Sequence, residues 1–274
     1  MIEFFFDCSS PWTYLGFHNV QPLAAELGAT IRWRPILVGG VFNSVNPSVY
    51  ASRDTPVPAK AAYQLKDMQD WAVHAGIKIR FPPTVFPVNS VKAMRGCILL
   101  EPRGLLVPFA TAVFEAYWRD DQDISNDAVL AKACERVGID AAGFFAGIAR
   151  PEIKDQLKAN TDELIRRGGF GSPTLFIDGA DMYFGNDRLP LLRAALVRAK
   201  RQSQEHTRVR SSKPISGRTT SAARPGTRSS PASPAGRSPT CSPSRRSTST
   251  ASRSGTCTRS TSTRPARRHP PMAG

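Results

Sequence analysis

Residues 7–16 read DCSSPWTYLG and follow the apolar run IEFFF directly. A cysteine, two hydroxyls, a proline and an aromatic ring stand where a buried strand turns into a helix. A helix N-terminus exposes unpaired N–H groups and roughly half a positive charge, so an anion placed there is stabilised. Pro11 has no N–H to give, which leaves the following residues and the Ser10 hydroxyl as donors. Local sequence keeps three readings of Ser10 open. It can cap the helix. It can donate a hydrogen bond to a bound thiolate, whose pKa the helix end lowers. It can also attack as a nucleophile, but that needs a base. No G-x-S-x-G turn surrounds Ser10, and nothing marks His18, His74, His206 or His269 as its partner. The first two roles can coexist in one hydroxyl.

Periodicity supplies the elements that must carry this turn. IEFFF has the continuous apolar pattern of a strand buried on both faces. Residues 11–27 form a helix, with Pro11 at the first helical position and Gly28 as the stop. TIRWRPIL then alternates as a second strand, giving a β-α-β unit. From Val38 to Pro58 the Gly, Asn, Ser and Pro content predicts a loop. AKAAYQLKDMQDWAVHAG has helical spacing, and helical segments follow RFPPTVFPVN at roughly 89–101, 105–119, 126–137, 140–148 and 152–167. SPTLFIDG and MYFG supply two short strands, and DRLPLLRAALVRAK a last amphipathic helix. This order predicts an α/β fold.

The formal charge of +15 resides in one segment. Residues 1–200 carry 22 basic and 21 acidic side chains, whereas residues 201–274 carry 15 and 1. That tail is Ser, Thr, Arg, Pro, Ala and Gly with no aromatic residue, a composition that cannot offset ordering entropy, so 201–274 is expected to be disordered. A basic arm could bind phosphate backbones nonspecifically, yet it lacks the aromatics that stack on bases, which argues against a nucleic-acid partner. Its composition also suits GC-rich DNA translated out of frame. The five cysteines form no C-x-x-C and no metal-ligand spacing with the four histidines, so no metal is expected. An odd, scattered set suits a reducing compartment. The N-terminus lacks a basic region and a full apolar core, and no run approaches the roughly 18 apolar residues of a membrane span. A soluble cytoplasmic protein is expected.

DCSSPWTYLGF, LVGGVFNSVNP, AKAAYQLKDMQDWA, FPVNSVKAMR, GFGSPTLFIDG and FGNDRLPLL, in this order, resemble the glutathione-dependent 2-hydroxychromene-2-carboxylate isomerases and the related kappa-class glutathione transferases. The resemblance covers residues 2–200. It implies a thioredoxin-like domain from 1–58 and 171–200, with an inserted all-helical domain over 59–170, and a homodimer. It also implies glutathione as cofactor and a small aromatic substrate from aromatic-hydrocarbon catabolism such as naphthalene degradation. In these families S-P-aromatic-[ST] occupies the place of the C-x-x-C of disulfide oxidoreductases. Ser10 and Thr13 therefore stand where the two cysteines would be, and dithiol chemistry is not expected.

The same resemblance assigns site residues. Ser10 would donate to the glutathione sulfur. Pro173 would be cis, with Ser172 clasping the cysteinyl part as a short added strand. Asp187 and Arg188 would take the γ-glutamyl ammonium and carboxylate, and Lys60 with Asn46 the glycyl end. Asn89 and Arg95 match the segment near the acceptor, and Trp12 is the aromatic placed to wall it. Each has a plainer alternative: a turn proline, helix caps at Asn89 and Asp187, and solvated charges at Lys60 and Arg95. Consumption of glutathione by a transferase or peroxidase, and a non-catalytic binding module, remain the competing functions.

Overall fold

The computed structural model describes residues 1–211. The chain opens with strand β1 (Ile2–Phe6), helix α1 (Pro11–Glu26) and strand β2 (Ile31–Pro35). β1 pairs parallel with β2 and antiparallel with β3 (Thr174–Ile177), which pairs antiparallel with β4 (Asp181–Phe184), so the sheet order is β2-β1-β3-β4. The central place of β1 explains why all five of its residues are buried, four of them apolar and the fifth, Glu3, paired with Arg167 at 2.8 Å. Ile2, Phe4 and Phe6 enter the core shared with α1, while Phe5 packs on the other face with Ile36, Val41, Leu164 and Phe176.

Between β2 and β3 the chain is helical: α2 (Val38–Val45), α3 (Ser48–Asp54), α4 (Pro58–His74), α5 (Val91–Leu100), α6 (Leu106–Phe114), α7 (Asp127–Arg136), α8 (Ala141–Ile148) and α9 (Pro151–Arg166). A π-turn, Glu115–Arg119, extends α6, and α10 (Leu189–Ser211) follows β4. This is the thioredoxin-like sheet with a helical insertion. The insertion has no core of its own. One buried cluster runs from Phe4 and Phe17 through Met94, Phe109 and Trp118 to Leu192, so the boundaries near residues 58 and 171 mark topology and not packing.

Two expectations are corrected. The segment 38–58 contains α2 and α3 where a loop was predicted. The Val38 N–H donates to the Asp7 carboxyl at 2.9 Å, the Leu37 N–H to Thr161 Oγ1 at 3.0 Å, and Val41 is wholly buried. Contacts from distant segments thus override the weak helix propensity of VGGVFNSV. Residues 201–211, where the tail was predicted to start, belong to α10. Residues 201–211 contain no Pro or Gly that would break a helix. The rest of the predicted tail lies outside the described residues. Among the described residues no helix is long and apolar enough to cross a membrane.

Candidate active site

The site begins where β1 hands over to α1. Ser10 is the extended N-cap residue of α1; its Oγ accepts from the Thr13 N–H at 3.2 Å and donates to the Ser172 carbonyl at 3.4 Å. The Ser172–Pro173 peptide is cis, as expected. Ser172 faces the helix end, with its Oγ 2.7 Å from Thr13 Oγ1 and accepting the Asp7 N–H at 3.1 Å. The proline ring packs against α1 at Gly16, where an added Cβ would lie 3.0 Å from Pro173 Cγ. Glycine therefore allows the helix and the cis-proline to approach. Both cysteine positions of a dithiol motif are filled by hydroxyls, and these bond across to the proline loop.

Behind this turn lies a carboxyl that sequence reasoning did not single out. Asp7 is 1% exposed, and its two oxygens accept the Ser9 and Val38 N–H groups at 2.9 Å each. Burial raises its pKa, while those two bonds and the Ser90 hydroxyl offset part of the rise. A carboxylate directly after the three phenylalanines that end the central strand was the available signal. Cys8, next to it, is wholly buried and its carbonyl accepts from Trp118 Nε1 at 2.9 Å. Burial, then the neighbouring Cys97 thiol of α5, pushes the Cys8 thiol well up, so it is no thiolate nucleophile.

The turn opens onto a cavity of about 790 Å³. Of the sequence-derived site residues, Ser10, Trp12, Asn46, Lys60, Asn89 and Ser172 line it together. Asn46 comes from the end of α2 and bonds the Phe170 carbonyl at 3.1 Å; Lys60 lies in the first turn of α4. Asn89 caps the approach to α5 by accepting the Val91 N–H at 3.0 Å. Four residues are not among the lining. Pro173 sits one residue behind Ser172. Asp187 and Arg188 pair with each other, half exposed, in the turn before α10. That turn adjoins the cis-proline, because the Gly185 N–H donates to the Pro173 carbonyl at 3.0 Å. Arg95 is the clearest departure: it lies a turn into α5 beyond the lining residues Asn89, Ser90 and Val91, with its Nε buried and unbonded.

The outer wall supplies a residue that the sequence reading overlooked. Arg53 of α3 lines the cavity with its guanidinium 5.2 Å from the Phe86 ring centre and 5.7 Å from that of Phe42. Among the described residues no carboxylate pairs with it, and no cluster of three or more His, Cys, Asp or Glu could hold a metal.

Residues 1–197 match the family model described as the DSBA-like thioredoxin domain. The chain belongs to this family. Within it, the chain is 29% identical over 205 residues to the 2-hydroxychromene-2-carboxylate isomerase of Pseudomonas putida, covering 75% of this chain and 98% of the relative. It is 30% identical over 206 residues to human glutathione S-transferase kappa 1, covering 70% and 88%. A solved structure of a 2-hydroxychromene-2-carboxylate isomerase superposes with a TM-score of 0.64 at 28% identity, covering 74% of this chain and 98% of that one. The DSBA-like chain thus lies among isomerase and kappa-transferase relatives.

Proposed function

We propose that the chain is a glutathione-dependent isomerase interconverting 2-hydroxychromene-2-carboxylate and trans-o-hydroxybenzylidenepyruvate. The observation that carries the reading is the pairing of the Ser10 hydroxyl with the cis Ser172–Pro173 loop at the mouth of an apolar cavity. Relatives named for this isomerase and for a glutathione transferase support it. In this reading Ser172 offers its backbone to the cysteinyl part of glutathione, Asn46 and Lys60 face the glycyl carboxylate, and the Asp187–Arg188 turn takes the γ-glutamyl end. The sulfur then meets the N-terminus of α1 and the Ser10 hydroxyl, which favour the thiolate. Ser10 acts as donor and not as nucleophile, since its two bonds go to backbone groups and no base touches it.

The thiolate adds to the unsaturated carbon of the substrate and the ring opens. Rotation about the former double bond follows, and the thiolate leaves unchanged. The residues contribute orientation, exclusion of water and a lowered thiol pKa. Trp12 and the rings of Phe42 and Phe86 wall the planar acceptor. The test is chromene isomerisation with and without glutathione, beside conjugation of chlorodinitrobenzene. Isomerisation that needs glutathione and does not consume it supports the proposal; conjugation without isomerisation replaces it by the kappa-transferase reading, which the human relative favours.

A further inference from the structure

We infer that Asp7, as a carboxylate, is the positioning residue of this site: it fixes the turn that presents Ser10 by tying that turn to α2 and to the start of α5. The inference rests on the glutathione reading above and adds to it a residue that acts through Ser10.

Ser10 is not pinned by its own hydroxyl. Both bonds of Oγ are long, 3.2 Å from the Thr13 N–H and 3.4 Å to the Ser172 carbonyl, so the oxygen goes where the backbone of residues 7–10 puts it. Every polar group of Asp7 bears on that backbone. Its carbonyl accepts the Ser10 N–H at 3.3 Å, and its own N–H donates to Ser172 Oγ at 3.1 Å. Its side chain closes the turn locally, with Oδ1 accepting the Ser9 N–H at 2.9 Å. The same carboxyl also reaches out of the turn. Oδ2 accepts the N–H of Val38, the first residue of α2, at 2.9 Å, and the hydroxyl of Ser90, directly before α5, bonds it as well.

These partners come from stretches of chain far apart in sequence, 7–10, 37–40 and 88–91, and each stretch lines the cavity. The geometry is that of an ion. Two backbone N–H groups and the Ser9 and Ser90 hydroxyls converge on two oxygens, and a carboxylate accepts from all four. Hydrogen bonds to a charged acceptor are the strong ones, and one oxygen also faces the positive end of α2. Asp7 and Ser90 are 1% and 5% exposed, so little water competes for these bonds. The apolar cluster that joins the sheet, α1 and the helical insertion does not include Asp7. Its bonds therefore set local geometry within a fold that apolar packing holds.

A double-mutant cycle on chromene isomerisation, read as kcat at saturating glutathione, tests this. Asp7→Asn keeps the outline of the side chain but turns an amide NH2 towards either the Ser9 or the Val38 N–H, so one tie is lost. On its own it should lower kcat about tenfold, less than the roughly hundredfold carried by the Ser10 donor itself. In the Ser10→Ala background no hydroxyl is left to position, and the same change should lower kcat by less than about twofold. Ser90→Ala removes one hydroxyl and leaves the carboxylate bonded to both N–H groups. It should show the same pattern with a loss of about threefold, and its cycle decides the matter if Asp7→Asn does not fold. A residue that serves stability alone costs the same factor in both backgrounds. Such equal losses, or no loss beside an intact Ser10, overturn the inference and leave the glutathione reading standing. Wild-type turnover that does not depend on glutathione overturns that reading and the inference with it, a failure visible before any variant is made.

Discussion

The two halves of the cavity are built differently. On the inner half Asp7, Thr13 and Ser172 are 1%, 0% and 7% exposed and are tied into one hydrogen-bonded set with Ser9, Ser10 and Val38. On the outer half α3 has no buried residue, and Val57 and Tyr63 at the start of α4 are 63% and 65% exposed. A fixed inner half holds charge where it develops without reorganising. The outer half makes few contacts that would pin one shape, so it can accommodate acceptors of different outline. Substitutions in the inner half should therefore change the chemical step or the fold, and those in the outer half should change affinity alone.

The sharpest way to break that contrast is at Ser10. Ser10→Ala removes the hydroxyl that the proposed function assigns to the glutathione sulfur, and turnover should drop about a hundredfold, as when one preorganised donor is lost. The missing cap should cost only about 1 kcal/mol of stability. Thermal unfolding beside turnover measures both, and unchanged turnover would remove Ser10 from the mechanism. Thr13→Val comes next, and it acts on the fold. It strips the hydroxyl that lies 2.7 Å from Ser172 Oγ in a fully buried place, which should cost about 1–3 kcal/mol in denaturant unfolding. An unaltered midpoint would mean that the inner half is not held by this set.

The same contrast explains what could be read from the sequence. The strand, the hydroxyl cap and α1 were legible in IEFFFDCSSP because each signal is local: apolar run, N-cap, proline at the first helical position. The cis-proline and the grouping of Ser10, Asn46, Lys60, Asn89 and Ser172 were legible through ordered motifs. Helices α2 and α3 were not, because what makes α2 helical is the Asp7 carboxyl and the Thr161 hydroxyl, both far away in sequence. Asp7 escaped notice for the same reason, since its burial arises where residues 7–9, 38 and 90 converge. Arg95 was assigned by motif alone, and helical geometry carried it a turn beyond the cavity-lining residues.

Arg53 tests the outer half. It is exposed, stacked near two rings and, among the described residues, has no carboxylate partner, so its guanidinium is available to a carboxylate on the acceptor. Arg53→Ala should raise KM for a carboxylate-bearing acceptor about tenfold, the worth of one charge-assisted hydrogen bond. Stability should move by less than about 0.5 kcal/mol, as for surface changes. A comparable loss with an uncharged acceptor would show that Arg53 shapes the wall instead of reading charge.

Lys60 should give the smallest effect and the most discriminating one. It sits on the exposed first turn of α4, where a charge is well solvated and screened. In the proposed function its attraction for the glycyl carboxylate of glutathione is then a rim interaction, worth a fraction of a kcal/mol. Lys60→Gln should raise KM for glutathione about threefold at low salt, and the difference should shrink at high salt because the Debye length falls to about 3 Å near 1 M. The turnover number should not change, since the ammonium does not approach the sulfur in this reading. KM and kcat at two ionic strengths separate the outcomes. A loss in KM that persists at high salt would mean that glutathione binding desolvates Lys60, making the outer half a closed wall when occupied. A loss in kcat would mean that the two halves are coupled through the bound tripeptide, and the division between a chemical half and an affinity half would fail at that residue.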